Sequence, residues 1–242
     1  MKYLATTLIL IWFSSSPALA QLKSKSLRIP VAVELVLAID NSSSVDSFEY
    51  ELQRQGIAKA FADPDVIGAI TSLNGGVAVA LFQWGEKVRS RMVLPFTHIN
   101  NQRDAIAFSI RVAELPRSPP SAYTALGHAI VASANLLEEN GFDGTRRIID
   151  ISGDGRNNNG IAPEAARADV VALGITINGL PVMSDDNTLH HYYQSRVVGG
   201  PFSFLEPAID YDAFAIAIKR KLLREFQLFI ADAGGVRLMQ KY

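Results

Sequence analysis

The sequence predicts an α/β protein, with a doubly wound, mostly parallel central sheet flanked by helices and one short antiparallel edge strand. Three observations point there. Apolar, β-branched runs alternate along the chain with segments of helical periodicity. The first run, Val31 to Ile39, is almost continuously apolar, as a strand buried on both faces should be. And 242 residues, 48% of them hydrophobic, suffice for one well-buried core and are too few for two.

The elements follow in order. After Val31–Ile39, Asp46 and Glu49 have the spacing of a capping box, and Leu52, Gly56, Ile57, Ala60 and Phe61 recur on one helical face. Asp63-Pro64 should stop that helix, since proline has no amide to donate. Gly75-Gly76 turns into a second strand, Val77 to Phe82, and Lys87 to Leu94 reads as the short antiparallel edge. Helices are expected over Arg103–Ala113, from Leu126 to about Asn140-Gly141, and over Ala162–Leu173. Between and after them, Arg147–Ser152 and Gly174–Leu180 read as strands and Phe202–Leu205 as a last short one. Phe214, Ile218, Leu222, Phe226 and Phe229 line one face of a long final helix.

Residues 1–20 have the pattern of a secretory signal: Lys2, a short apolar run from Leu4 to Phe13, and Ala18-Leu19-Ala20 as the cleavage site. The run is too short to span a bilayer, so no transmembrane segment is expected after cleavage. Residues 21–30 read as a linker, 31–232 as one domain and 233–242 as a C-terminal tail. With no cysteine, thiolate metal sites and disulfides are excluded, and an exported chain without disulfides fits the bacterial periplasm. A net charge of −1 offers no basic face for nucleic acid.

In such a sheet, ligands sit beyond the carboxyl ends of the strands. Three segments there carry the chemistry. The first strand runs into Asp40-Asn41-Ser42-Ser43-Ser44, a D-x-S-x-S pattern. Pro119 to Thr124 forms a loop entering a helix, and Ser152-Gly153-Asp154-Gly155 closes a later strand. Carboxylates and hydroxyls are hard oxygen donors, suited to Mg²⁺, Mn²⁺ or Ca²⁺. Each segment alone has a plainer reading. The first and third are also good turns, and Thr124 is also a good helix N-cap.

Taken together and in this order, the segments resemble the metal-ion-dependent adhesion site of the von Willebrand factor A (vWA) family, and the resemblance runs from about Val31 to Phe229. It implies one divalent cation, Mg²⁺ by first choice. Ser42, Ser44 and Thr124 would be direct ligands, Asp40 and Asp154 would supply charge directly or through water, and one position would stay open for a partner's carboxylate. The chain also resembles small secreted bacterial vWA-like proteins of unassigned role. It departs from the usual form at Gly153, where the family more often has threonine.

Asn41, Trp84, Tyr123, Arg156 and Asn157 are the candidates for a partner-binding rim. For the buried acids Glu34 and Asp150, pairing with Arg146 or Arg147 is the expectation, and Lys219, Arg220, Lys221 and Arg224 read as a solvated face. The function expected is a secreted binding module that engages an Asp or Glu of a protein partner through the cation, with no catalytic residue. The alternative is a metal-dependent hydrolase or phosphatase. Against it stand the missing G-x-S-x-G elbow and Ser42, which occupies the place where phosphotransferases of this broad fold carry a second aspartate.

Overall fold

The computed structural model describes residues 28–86 and 91–233. They form β1 (Ile29–Asp40), α1 (Ser47–Ala62), α2 (Pro64–Thr71), β2 (Val77–Trp84), β3 (Arg91–Ile99), α3 (Gln102–Ala113), α4 (Leu126–Glu138), β4 (Phe142–Gly153), α5 (Pro163–Ala172), β5 (Thr176–Pro181), α6 (Leu189–Arg196) and α7 (Phe214–Ala233). The signal segment, most of the linker and residues 234–242 of the tail lie outside the described residues. Among the described residues no helix is long and apolar enough to cross a membrane.

The strand order is β3-β2-β1-β4-β5, parallel throughout except for β3, which runs antiparallel to β2 at one edge. The central strand explains its own composition. Val33, Leu35, Leu37 and Ile39 pack on one side against Ile57, Phe61, Phe108, Phe214 and Ile218. Val36 and Ala38 pack on the other side with Leu126, Ile130, Ile151 and Tyr193. A strand covered on both faces has no polar side to show, so the usual alternation is lost.

Helix starts follow the sequence closely. Asp46 accepts from the amides of Phe48 (2.7 Å) and Glu49 (2.8 Å), and Glu49 Oε2 accepts from the Asp46 amide at 2.8 Å, completing the capping box. Asp63-Pro64 ends α1 as expected, but the chain restarts at once. Asp63 accepts from the Asp65 amide at 2.9 Å and caps α2, whose first residue is Pro64. Proline at that position lacks only an amide that would have had no partner.

Three boundaries differ from expectation. The edge strand is Arg91–Ile99, with 87–90 outside the described residues; the antiparallel pairing is as anticipated, and Pro95 is tolerated because an edge strand need not donate everywhere. β4 starts at Phe142, since its half-exposed first residues still pair with Ile29–Val33 of β1. Phe202–Leu205 is not a strand. It belongs to a strap over the outer edge of β5, touching it through single bridges at Ile177–Gly199, Gly179–Leu205 and Val182–Ala208.

Charged positions also differ. Glu34 accepts from the Gly144 amide at 2.5 Å and the Asn140 amide group at 2.6 Å, while Arg147 pairs with Glu138. Asp150 pairs with Lys221 of α7, not with an arginine. Lys219 and Arg220 do bind surface acids, Asp63, Asp65 and Glu206. Lys221 instead lies on the same inward face as Ile218, Leu222 and Phe226 and is fully buried.

Candidate metal centre

Asp40 ends β1 at the point where the chain must turn into α1. Its Oδ1 accepts from the Ser42 amide at 2.7 Å, a tight turn that points the next hydroxyls back over the strand end. The Ser42 and Ser44 hydroxyls are 2.9 Å apart, and Ser44 donates to Asp154 Oδ1 at 2.8 Å. Four of the five expected ligands are therefore joined in one hydrogen-bonded chain across β1 and β4. Thr124 faces it: a side-chain carbon at Gly155 would come within 3.4 Å of the Thr124 hydroxyl oxygen.

Thr124 is not a helix cap. The N-cap of α4 is Ala125, and no side chain of that residue caps it. The work is done from another loop: Asn158 Oδ1 accepts from the Thr124 amide at 2.8 Å, and Asn157 Oδ1 from the Gly127 amide at 3.3 Å. The threonine hydroxyl is thereby left for another role, and the loop after β4 is fastened to the loop before α4.

The first loop is held equally firmly. Ser42 and Ser121 form a short parallel bridge, with Ser43 donating to the Ser121 carbonyl at 2.6 Å and Ser121 to the Asn41 carbonyl at 3.0 Å. Arg117 donates to Asn41 Oδ1 at 2.8 Å and to the Val45 carbonyl at 2.6 Å, and its guanidinium lies 5.2 Å from the centre of the Tyr50 ring. Sequence reasoning missed Arg117. A lone arginine between two prolines carries no motif, and only its multiple donors hint at several carbonyl partners.

Gly153 is required by crowding. A Cβ there would meet Asp40 Oδ2 at 2.7 Å, and Trp84 and the Tyr193 hydroxyl at 3.0 Å each. Trp84 and Tyr193 fill the space that a residue with a side chain would need. This corrects two rim expectations. Trp84 is 1% exposed and packs beneath the site; Asn41 is buried too, its side chain committed to Arg117 and the Ser118 carbonyl. Of the other three, Tyr123 is exposed. Arg156 is exposed but engaged, donating to Asp186 and Thr188 at 2.8 Å each and lying over the Tyr192 ring. Asn157 is half-buried, its amide donating to the Tyr192 hydroxyl at 3.2 Å.

The electrostatics are those of crowded carboxylates. Burial first, and the Asp154 charge second, push Asp40 up to about 7; burial raises Asp154 as well, against the Ser44 hydroxyl that donates to it. Burial and then these two acids hold the Tyr193 and Tyr211 phenols well above their ordinary range. Asp40 Oδ2, Tyr193 Oη and Trp84 Nε1 are buried without a hydrogen-bond partner. Buried polar atoms are nearly always satisfied, and exceptions call for water, an ion or a function. The donor set fits a hard divalent cation: two carboxylates and three hydroxyls, with no soft ligand. Among the described residues no group of three or more His, Cys, Asp or Glu converges, so a cation here would depend on the hydroxyls.

One family model covers residues 30–229, nearly all of the described chain. The chain belongs to DUF1194, a family described as a protein of unknown function. No curated protein matches this DUF1194 chain. Solved structures do. Proximal thread matrix protein 1 (PTMP1) of the mussel byssus, with a zinc-occupied MIDAS motif, aligns with a TM-score of 0.60 at 13% identity, over 83% of this chain and 47% of that one. BatB from Bacteroides thetaiotaomicron aligns at 0.55 and 17% identity, over 81% of this chain and 100% of that one. A von Willebrand factor type A protein from Catenulispora acidiphila aligns at 0.55 and 15%, over 81% and 42%. The DUF1194 chain thus spans about half the length of PTMP1 (47%), and its fold is vWA-like.

Proposed function

We propose that this vWA-like module holds one divalent cation at the ends of β1 and β4 and uses it to bind a protein partner through an Asp or Glu side chain. Ser42, Ser44 and Thr124 supply neutral donors, and Asp40 and Asp154 supply the charge. A bound cation there acts as an electrophilic anchor for one more carboxylate. The observation that carries the reading is the Ser42–Ser44–Asp154 chain lying over Asp40, whose second oxygen is buried with no partner. PTMP1, with zinc in its MIDAS motif, lends support from the same fold.

The choice of Mg²⁺ over Mn²⁺ or Ca²⁺ rests on hard-donor chemistry alone. The module is proposed to be non-enzymatic. Among the described residues no set resembles a nucleophile with its base. Export to the periplasm is proposed on the pattern of residues 1–20.

Isothermal calorimetry with Mg²⁺, Mn²⁺ and Ca²⁺ tests the centre. One site per chain is expected, weakened at least about tenfold in Asp154→Ala, as losing a charged ligand implies. No uptake at millimolar cation, or uptake unchanged in Asp154→Ala, overturns the reading.

A further inference from the structure

The surface around the site is apolar in a way the ligands do not explain. Four of the large hydrophobic side chains left exposed stand at the strand ends that carry the ligands. Phe48 is 65% exposed and lies one helical turn past Ser44, in the first turn of α1. Tyr123, 47% exposed, immediately precedes Thr124. Ile161 follows the Asp154 loop, its backbone against Gly127 in the first turn of α4. Ile209, the most exposed at 70%, follows Ala208, which bridges to Val182 just past β5; two residues on, the buried Tyr211 lies near Asp154. Ile29, Leu173 and Phe202 belong to the opposite end of the sheet and do not join them.

The charges beside these residues are acidic or already committed. Glu49, Asp154 and Asp185 are acidic neighbours on this face. Arg156 is held by Asp186, and Arg117 by Asn41 and Val45. A partner carrying several acids would be repelled by these carboxylates everywhere except over the cation, and a partner with no carboxylate would gain nothing from the cation. What complements this face is one carboxylate with apolar neighbours. Large apolar side chains left exposed around a polar site mark an interaction surface.

We propose that the face formed by Phe48, Tyr123, Ile161 and Ile209 docks an extended protein segment in which a single Asp or Glu is flanked by large apolar side chains. It rests on the cation-binding reading above. The carboxylate supplies the anchor and the flanking side chains supply the selectivity. Burying one large apolar side chain is worth about tenfold or more in affinity.

The test is a positional-scanning array of nonapeptides with a fixed central Asp, probed with the full chain in Mg²⁺. Leu, Ile, Phe, Tyr or Trp at the flanking positions should bind at least about tenfold better than Ser or Gly. That preference should vanish in Phe48→Ser/Ile209→Ser while calorimetric Mg²⁺ affinity stays unchanged. Both side chains are exposed, so the double variant should fold, as circular dichroism would report. If Mg²⁺ binds but the array shows no apolar preference, no binding, or the same pattern in the double variant, this inference fails and the metal centre stands. If calorimetry shows no cation uptake, the metal centre fails and this inference with it.

Discussion

The ammonium of Lys221 lies 2.6 Å from Oδ1 of Asp150, and both residues are buried. Lys221 also reaches Glu225 Oε1 at 2.9 Å, which Asn178 of β5 contacts at the same distance. Arg146 of β4 donates to the Glu225 backbone carbonyl at 3.0 Å. Two carboxylates thus share one ammonium between β4, β5 and α7, out of reach of water. Burial is the main force on Asp150 and lifts it to about 7, with Lys221 opposing and Glu225 adding to the rise.

Stability should therefore fall as pH rises from the acidic range to neutrality. Asp150 keeps its proton in the fold up to about 7, but loses it near its ordinary 3.8 when unfolded. Its contribution is fully present below the unfolded value and disappears as pH rises through the folded one. Urea unfolding followed from about pH 5 to about pH 8 should show this decline, and Asp150→Asn should flatten it. An equal slope in the variant would assign the pH dependence elsewhere.

Lys221→Met removes the ammonium that these two buried acids share. Breaking a buried ion pair on one side costs about 3–5 kcal/mol, because the surviving charge has no partner. The loss should shrink at low pH, where Asp150 holds its proton. A cost under about 1 kcal/mol in chemical unfolding would show that water reaches the cluster.

Gly153→Thr installs the residue that vWA domains more often carry here, and it should be harmful. Its Cβ would press on Asp40 Oδ2, Trp84 and the Tyr193 hydroxyl. Overpacking of this kind costs about 1–3 kcal/mol. Trp84→Leu should recover part of that in the double variant, a coupling that thermal unfolding of the four-member cycle would measure. Additive losses would mean that Trp84 does not fill the threonine's space.

Arg117→Ala should loosen the D-x-S-x-S loop and leave every proposed ligand in place. Losing hydrogen bonds from a charged donor costs about 1.5–3 kcal/mol. Amide exchange should speed up at Ser43 and Ser121, which share the bridge that Arg117 secures. Unchanged exchange there would make the arginine a mere surface ornament.

What could be read from the sequence was whatever depended on local chemistry. Asp46 and Glu49 announce their capping box by spacing alone. Val31–Ile39 announces a two-sided burial, and Asp40, Ser42, Ser44 and Asp154 follow strands whose ends the fold brings together. What was hidden depended on distant partners. α6 has only Leu189 and Tyr193 buried, one turn apart, among histidines and tyrosines that give no apolar stripe. Lys221 looks like its solvated neighbours Lys219 and Arg220, and only the position of Asp150 on a strand far away in sequence draws it inward. Asn157 and Asn158 look like loop residues, yet they supply the acceptors that hold α4's first turn.

The strap across β5 has a bearing on self-association. By covering that margin it leaves β3 as the sheet's single unpaired flank among the described residues. That flank is poorly made for recruiting another chain. Its register slips opposite Val79 and Leu81, and Pro95 sits within the slip with no amide to offer. Strand-by-strand growth between copies would have to cross that interruption, which disfavours edge-to-edge fusion of the sheets.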